Sequence, residues 1–228
     1  MSSEIPKLPE PPPSAIPKER PGKAGGRRDI NRREKVRSIL EGALPLFLER
    51  GIEGTTIDDI AKAASIAKGS FYRYFASKAQ VVEALFRPIA EELDEALARC
   101  DEELAQARDA TAMNAAYQRL GESFGKVVLE NVDVVLLYLQ ENRGPRTEAR
   151  APVRRLADLV VERAVHLTKT ARNAALLRPF PAEVSARTVI GAVEQLLFAV
   201  LSGEEVGDPL ELPEHLTSLV LDGLRAVK

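Results

Sequence analysis

Thr56-Ile-Asp-Asp-Ile-Ala-Lys-Ala-Ala-Ser-Ile-Ala-Lys-Gly-Ser-Phe-Tyr-Arg-Tyr-Phe75 is the stretch of this sequence that decides its fold. It predicts two short helices joined by a tight turn. Thr56 is placed to cap the first helix, and Asp59 stands at the third helical position of a capping box. Spacings of three and four residues make one apolar stripe on this helix, formed by Ile57, Ile60, Ala61 and Ala64.

The second helix is predicted to begin near Ala67 and to have two different faces. Phe71 and Phe75 lie four residues apart and point to one side. The other side carries donors, one small residue and a flat ring, on Lys68, Gly69, Tyr72 and Arg73. A helix with one apolar face and one face of this kind suits the major groove of DNA.

Residues 39–78 taken together resemble a known family. Residues 39–51 read Ile-Leu-Glu-Gly-Ala-Leu-Pro-Leu-Phe-Leu-Glu-Arg-Gly, and residues 67–78 read Ala-Lys-Gly-Ser-Phe-Tyr-Arg-Tyr-Phe-Ala-Ser-Lys. With these motifs the chain resembles the tetracycline-repressor (TetR) family of DNA-binding regulators. The motifs cover roughly a fifth of the chain, and the remainder matches in length and helical style.

This resemblance implies an all-α protein with two domains. A three-helix helix-turn-helix DNA-binding domain over residues 27–79 would be followed by a helical effector-binding and dimerisation domain over residues 80–228. The implied function is a ligand-responsive, sequence-specific transcriptional regulator, a repressor that a small hydrophobic or amphipathic effector releases from a palindromic operator. No cofactor is implied, and the lack of a His/Cys cluster argues against a metal effector.

The resemblance also implies which positions contact double-stranded operator DNA, namely Thr56, Lys68, Gly69, Ser70, Tyr72, Tyr74 and Lys78. Lys68 is the expected reader of a base, because a lysine donates to guanine O6 and N7. Gly69 would allow a close approach of the backbone. Thr56, Tyr72 and Lys78 would hold phosphates, which set the register without reading sequence.

Three residues depart from the pattern of the family. Ser65 stands where the family usually has Gly, so a left-handed turn there would carry strain. Ala67 replaces a residue that often bears a hydroxyl, which leaves the cap of the second helix open. Pro45 lies inside the expected first helix and should bend it or remove a hydrogen bond. Tyr74, among the implied contacts, has core packing as its alternative.

Charge is distributed unevenly along the chain. The net charge of the 228 residues is −2, but residues 1–78 carry 15 Lys/Arg against 10 Asp/Glu, a balance of +5. The remaining residues carry 17 against 24, a balance of −7. This basic N-terminal part and acidic remainder indicate that nucleic acid binds to the N-terminal part of the chain.

Residues 1–26 contain seven prolines and an adjacent pair of glycines, so we predict a disordered tail. Residues 18–37 carry nine Lys/Arg and three Asp/Glu. One interpretation is a solvated tail. The other is an arm that follows the DNA backbone or enters the minor groove, and its best candidates are Arg27, Arg28, Arg32 and Arg33.

The rest of the chain predicts helices nearly to its end and no strand. The first helix is expected over residues 31–49, with Gly51 as its stop. Residues 131–141 are apolar almost all round and are therefore expected to be buried. The other helices are expected over residues 79–86 with an extension through 104, 110–129, 148–177, 182–202 and 213–227.

Composition predicts a soluble cytoplasmic protein with no membrane partner. Cys100 is the only cysteine, so no intramolecular disulfide is possible, and we interpret it as an inert thiol rather than a redox sensor. The N-terminus lacks the apolar segment of a signal peptide. No apolar run is longer than residues 134–139, and that length is far too short to span a membrane.

Residues 182–202 carry apolar stripes on two sides, which indicates burial on both. Burial within one subunit is the simple interpretation. The TetR resemblance implies a homodimer through a four-helix bundle, with two helices from each subunit. Two recognition helices one turn of DNA apart would then read a palindrome. The interface residues would be Val189, Val193, Leu196, Val200, Leu216, Val220 and Leu224.

The middle helices mix aromatic residues with isolated polar groups, a composition typical of small-molecule sites. Under the alternative interpretation each of these residues belongs to the core or to the surface. The candidates for the effector site are Tyr117, Phe124, Tyr138, Asn142 and His166.

An enzyme is the competing class of function. A di-iron bundle uses Glu-x-x-His pairs, but Glu162 precedes His166 by four residues and the only other histidine is His215. The sequence has no CxxC motif, no glycine loop for phosphates and no recognisable Ser-His-Asp order. We therefore expect no enzyme and no catalytic residue. A third class is an architectural DNA-binding protein that binds no ligand. The roughly 150 residues that follow the predicted DNA-binding domain argue against this class.

Overall fold

The structure is a computed structural model that describes residues 27–208, 211–212, 214–216 and 218–219. Every regular element within these residues is a helix, as the sequence predicts. The helices are α1 (Arg27–Gly54), α2 (Ile57–Ala63), α3 (Lys68–Phe71), α4 (Lys78–Gln106), α5 (Ala110–Glu130), α6 (Val132–Glu141), α7 (Ala151–Asn173) and α8 (Ala182–Leu201). The predicted tail over residues 1–26 and most of the predicted helix over residues 213–227 lie outside the described residues.

The chain divides into two compact units. Among the described residues, one unit holds residues 27–86 together with residues 140–154, and the other holds residues 87–139 and the described residues from 155 onward. The segment 140–154 covers the end of α6, the following loop and the first turn of α7. It therefore belongs to the unit that contains α1, α2 and α3. The domain boundaries drawn from the sequence stay a prediction.

α1 is longer than the sequence predicts at both ends. It begins at Arg27, four residues before the expected start, and it continues beyond Gly51 to Gly54. The residue with non-helical backbone angles is Gly51, with φ 73° and ψ 163°, rather than Pro45. Glycine tolerates this left-handed φ, so the helix axis breaks at Gly51 and a further turn follows.

Two expectations for the later helices are corrected. α7 spans residues 151–173 rather than 148–177, because Ala175 takes a φ of 58° and Leu176 N–H donates back to Ala171 O at 3.0 Å. This left-handed end satisfies the last carbonyls of the helix. α6 is not buried all round, since Val132 is 40% exposed while Leu137 is fully buried.

The second unit has an apolar core between α4, α5 and α7, which we call the α4–α5–α7 cluster. Leucine, alanine and methionine side chains dominate it, and Cys100 lies among them. Burial is the main reason that the pKa of Cys100 rises to about 12, so the thiol stays protonated at neutral pH, as an inert thiol requires. The buried members are Leu97, Cys100, Leu104, Ala107, Met113, Ala116, Leu167, Ala171, Leu176 and Leu177.

A polar seam also joins α4 to α7. Arg163 Nε donates to Asp94 Oδ1 at 2.7 Å, and both side chains are largely buried. Asp101 accepts a hydrogen bond from Thr170 Oγ1 at 2.7 Å. A buried charge that loses its partner destabilises the protein. A shift of α4 along α7 would separate these pairs, so the contacts fix the position of one helix along the other.

Candidate nucleic-acid interface

The cap of α2 matches the sequence prediction. Thr56 Oγ1 accepts the Asp59 N–H at 3.2 Å, and Asp59 Oδ2 accepts the Thr56 N–H at 3.0 Å. Thr56 Oγ1 also donates to Asp59 Oδ2 at 2.6 Å. The Thr56 hydroxyl is the main cause that lowers the pKa of Asp59, and the Thr56 backbone N–H is the second. A phosphate only accepts hydrogen bonds, so the Thr56 hydroxyl would have to turn away from Asp59 to hold one.

The turn between α2 and α3 shows the strain that the sequence predicts. Ser65 has a φ of 53°, a left-handed conformation that favours glycine. The turn is closed by Ile66 N–H, which donates to Ala61 O at 2.9 Å. Ala67 precedes α3 in an extended conformation and makes no side-chain cap, as expected from its missing hydroxyl.

α3 separates an apolar face from an exposed one. Phe71 is fully buried and Phe75 nearly so, and their ring centroids lie 6.0 Å apart. Tyr72 is 46% exposed, and its ring meets Phe71 edge-on at 5.6 Å. Lys68 is exposed on the same side as Tyr72, so the predicted division of the helix is present.

Gly69 lies on the exposed face and has open space around it. A Cβ atom added there would meet no described heavy atom within 4 Å, and its φ is not in the left-handed region. Neither packing nor backbone conformation within the described residues therefore requires a glycine here. Replacing a glycine by alanine at a compatible site stabilises a protein by roughly 0.4–1 kcal/mol, so the presence of this glycine needs another explanation.

The remaining positions of α3 and its following turn are mixed. Ser70 and Tyr74 are partly buried, so neither lies fully on the exposed face. Arg73 is exposed, and its guanidinium carbon lies 5.9 Å from the centre of the Tyr74 ring. Such a stack holds both groups in place. The sequence predicts Arg73 on the exposed face of α3, but Arg73 was not among the predicted DNA contacts. Because its charge is exposed, we add Arg73 to the candidate DNA contacts.

Lys78 is turned toward the protein. Its Nζ donates to Thr55 O at 2.9 Å and to Glu53 O at 3.4 Å, and the side chain is 17% exposed. The ammonium thus joins the start of α4 to the turn before α2. In this position it fixes local geometry, whereas the family resemblance predicted a phosphate contact.

The basic residues before the helix-turn-helix are helical. Arg27, Arg32 and Arg33 all lie in the first turns of α1, so the part of the predicted arm that begins at residue 27 is not an extended strand. Arg27 and Arg33 are exposed, and Arg32 is partly buried. Arg28 belongs to the same helix, but its side chain lies outside the described part of the structure.

Two predicted effector residues share one region. Tyr117 and Phe124 are partly buried and pack against the α4–α5–α7 cluster. Burial, more than the neighbouring Cys100 and Asp101, raises the pKa of Tyr117, so its phenol is neutral and able to donate a hydrogen bond. An apolar wall with a neutral hydroxyl suits a largely apolar ligand.

Two of the other three predicted effector residues have polar partners within their own compact unit. Tyr138 donates its hydroxyl to Glu194 Oε1 at 2.6 Å, and His166 Nε2 lies 3.1 Å from Asp101 Oδ2. Asn142 belongs to the compact unit that contains α1. That these five residues form one effector site stays a prediction. The part of the chain that the structure describes holds no group of three or more His, Cys, Asp or Glu residues suited to a metal ion.

α8 carries the predicted dimer residues on an incompletely covered helix. Val189, Val193, Leu196 and Val200 are all partly buried, and Leu216 is partly buried as well. Val220 and Leu224 lie outside the described residues. By length and composition alone α8 would also be able to cross a membrane, a property that core helices of soluble proteins share, whereas the sequence predicted no such segment.

Comparison with known proteins adds a family and a fold. The sequence model described as "Bacterial regulatory proteins, tetR family" matches residues 39–85. The HTH-type transcriptional repressor KstR2 of Rhodococcus jostii (strain RHA1) is 30% identical over 149 residues, which cover 63% of this chain and 67% of that protein.

Two solved structures have the same fold. NalD, the secondary repressor of the MexAB-OprM multidrug efflux pump in Pseudomonas aeruginosa, superposes with a TM-score of 0.66 at 22% identity, over 86% of this chain and 100% of NalD. The transcriptional regulator FadR from Bacillus subtilis, solved in complex with stearoyl-CoA, superposes with a TM-score of 0.62 at 15% identity. That match covers 82% of this chain and 98% of FadR. At these identities the likeness concerns the fold alone.

Proposed function

Because this chain belongs to the TetR family of bacterial transcriptional regulators, we propose that it represses transcription from a palindromic operator, which it binds as a homodimer and leaves when an effector binds. Its relatives are regulators, so the chain is a regulator and not an enzyme. Residues 27–79 are the proposed DNA-binding domain, residues 80–228 the proposed effector and dimerisation domain, and the cytoplasm the proposed location.

The exposed face of α3 is the observation that carries this proposal. Lys68 and Tyr72 present a donor and a flat ring beside the open space at Gly69, while Phe71 fixes the opposite face in the core. A base edge or a phosphate that approaches Gly69 closely would explain a glycine that the described residues do not require. Lys68 is the proposed base reader, and Tyr72, Ser70 and Tyr74 are proposed contacts around it.

A dimer through α8 is the proposed assembly. The residues of its apolar stripe are each left partly exposed by the described chain, although valine and leucine are usually buried. A second copy of α8 would cover Val189, Val193, Leu196 and Val200 and would contribute to a four-helix bundle. In such a contact the same surface of each subunit meets the other, so the two recognition helices are related by a twofold axis. The two half-sites of a palindrome are related by the same symmetry.

The proposed effector is a molecule with a long apolar part. Tyr117 and Phe124 on α5 border the α4–α5–α7 cluster, and Tyr117 offers a neutral hydroxyl to a polar group. FadR, which shares the fold, was solved with stearoyl-CoA, and this supports an acyl chain as the first class to test. Tyr138 and His166 stay predicted contacts of lower priority, because Glu194 and Asp101 already pair with them. Asn142 also stays a predicted contact.

DNA selection tests the proposed function as a whole. The full chain is incubated with a random DNA library, and the enriched sequence is titrated by fluorescence anisotropy beside a scrambled sequence of equal length. We expect a palindrome that binds about a thousandfold more tightly than the scrambled DNA. A chain that binds both sequences equally would refute sequence-specific repression.

Calorimetry tests the effector separately. Stearoyl-CoA, free stearate and coenzyme A are titrated into the chain with and without the selected operator. An effector that releases the chain must bind the operator complex more weakly, by the same factor as it weakens operator binding. Equal affinities in both titrations would rule out induction by that compound.

A further inference from the structure

The break in α1 at Gly51 is stabilised by a residue far along the sequence. The left-handed φ of Gly51 interrupts the helix, so the next N–H, that of Ile52, needs another acceptor. Ile52 N–H donates to Glu141 Oε1 at 2.8 Å. Ile52 is fully buried and Glu141 is 6% exposed, so this contact is closed to water. The carboxylate of Glu141 therefore caps the last turn of α1.

Arg150 completes the contact by pairing with the other oxygen of the same carboxylate. Arg150 Nε donates to Glu141 Oε2, and its side chain is 17% exposed. Two glycines leave room for the pair. A Cβ on Gly51 would lie 2.9 Å from Glu141 Oε1, and a Cβ on Gly144 would lie 2.8 Å from Arg150 Nε. The space that both glycines leave is occupied by one buried ion pair.

A second contact joins the same two parts of the chain. Thr147 Oγ1 donates to Glu53 Oε1, and Arg150 N–H donates to Thr147 Oγ1 at 3.3 Å. The last residue of α6 and the loop that follows it thus contact two successive residues in the last turn of α1, Ile52 and Glu53. Glu141 is the last residue of α6 and Arg150 directly precedes α7, so the pair joins the two ends of the loop between these helices beside the end of α1.

The broken turn leads directly to the DNA-binding helices. Thr55 is fully buried, and its hydroxyl is within hydrogen-bonding distance of Gly51 O at 2.9 Å and Leu46 O at 3.1 Å. The carbonyl of Thr55 accepts the hydrogen bond from Lys78, and the next residue, Thr56, caps α2. Four residues therefore separate the capped N–H of Ile52 from the start of the helix-turn-helix.

We propose that Glu141 is a positioning residue for DNA recognition, which holds the end of α1 and thereby sets the orientation of α2 and α3. The proposal rests on the proposed DNA-binding function and adds to it a residue that lies outside the helix-turn-helix sequence. Glu141 itself does not touch DNA. Its carboxylate acts through Ile52 and Thr55, and Arg150 compensates its charge so that it can be buried.

Glu141→Gln tests the proposal, with Asp94→Asn as the matched control. Both substitutions remove the charge of a buried carboxylate that pairs with an arginine, but the Asp94–Arg163 pair lies in the other compact unit. We expect Glu141→Gln to weaken binding to the selected operator about tenfold, the scale of one base-specific hydrogen-bonding pair, at a temperature where circular dichroism shows a folded chain. The slope of log affinity against log salt should not change, because every phosphate that the wild type neutralises stays neutralised.

Two readouts separate positioning from general stability. Hydrogen exchange at the Ile52 amide should accelerate in Glu141→Gln and stay slow in Asp94→Asn, and operator affinity should be unchanged in Asp94→Asn. If Glu141→Gln does not fold, Arg150→Lys, which keeps the charge but loses the Nε donor, is measured by the same criteria.

The outcomes are distinguishable. A wild-type chain that selects no operator refutes the proposed function itself. A wild-type chain that binds its operator, together with a Glu141→Gln variant that binds it equally well, overturns the positioning role. Equal loss of affinity in Glu141→Gln and Asp94→Asn overturns it as well, because the effect would then be one of stability.

Discussion

Lys78 Nζ donates to the carbonyl oxygen of Thr55 at 2.9 Å, and it lies 3.8 Å from the carboxylate of Glu53. The lysine at the end of the helix-turn-helix motif is thus directed to the turn that precedes α2. Within the protein, its ammonium has two carbonyl acceptors and one carboxylate at ion-pair distance. This geometry makes Lys78 a support of the DNA-binding helices and changes what its substitution is expected to do.

Lys78→Gln should weaken operator binding without changing its salt dependence. Removal of the ammonium loosens the turn at Thr55 and so weakens binding. The number of counterions released from the DNA, which sets the salt dependence, stays the same because Nζ binds a carbonyl and not a phosphate. Anisotropy titrations over a salt series measure both quantities. A slope that becomes shallower by about 0.9 would mean that Lys78 grips a phosphate in the complex after all.

Gly69→Ala should stabilise the protein and weaken operator binding. The added methyl group meets no described atom and restricts the unfolded chain, so the free energy of unfolding should rise by roughly 0.4–1 kcal/mol. Gly125→Ala in α5 is the matched control, because a Cβ there also meets no described atom. It should gain similar stability and leave operator affinity unchanged. Unaltered DNA binding by Gly69→Ala would remove the argument that DNA approaches this glycine.

Replacing Arg27, Arg32 and Arg33 together by Gln should make the dependence of log affinity on log salt shallower. The slope falls by about 0.9 for each phosphate that the protein no longer neutralises, and glutamine preserves the helix. Arg99→Gln, which removes an exposed arginine beside Glu95 on α4, is the control for a general change in charge. If the triple variant and the control have the same slope as the wild type, the start of α1 is a solvated segment.

Val193→Glu should convert the proposed dimer to monomers. A carboxylate at the centre of the α8 stripe would be buried without a partner, which costs roughly 3 kcal/mol or more. Sedimentation velocity measures the change. Gln195→Glu introduces the same charge on an exposed position of the same helix and should leave the dimer intact. A wild-type chain that sediments as a monomer at all concentrations would contradict the proposed assembly.

The parts of the fold that were predictable from the sequence are those with local causes. Thr56 and Asp59 are three residues apart, so their capping box is visible in the sequence, and it is present. The strain at Ser65 and the open cap at Ala67 follow from single residue types at a turn. The two faces of α3 follow from the four-residue spacing of Phe71 and Phe75.

The parts that were not predictable depend on partners far away in sequence. Gly51 interrupts α1 without ending it, because Glu141, 90 positions later, accepts the freed N–H of Ile52. The direction of the Lys78 side chain depends on a carbonyl in the turn at Thr55. The effector candidates were chosen by residue type alone. Residue type does not reveal that Tyr138 donates a hydrogen bond to Glu194 on another helix.

The central claim is that Lys68 on α3 reads a base, and Lys68→Ala tests it most directly. The variant and the wild type are each used to select sequences from the same random library. We predict that the wild type enriches a palindrome whose half-sites lie one turn of DNA apart, and that Lys68→Ala loses its preference at one base pair in each half-site, with a cost of about 1–3 kcal/mol per contact. Identical preferences at every position of the palindrome in the two selections would contradict it.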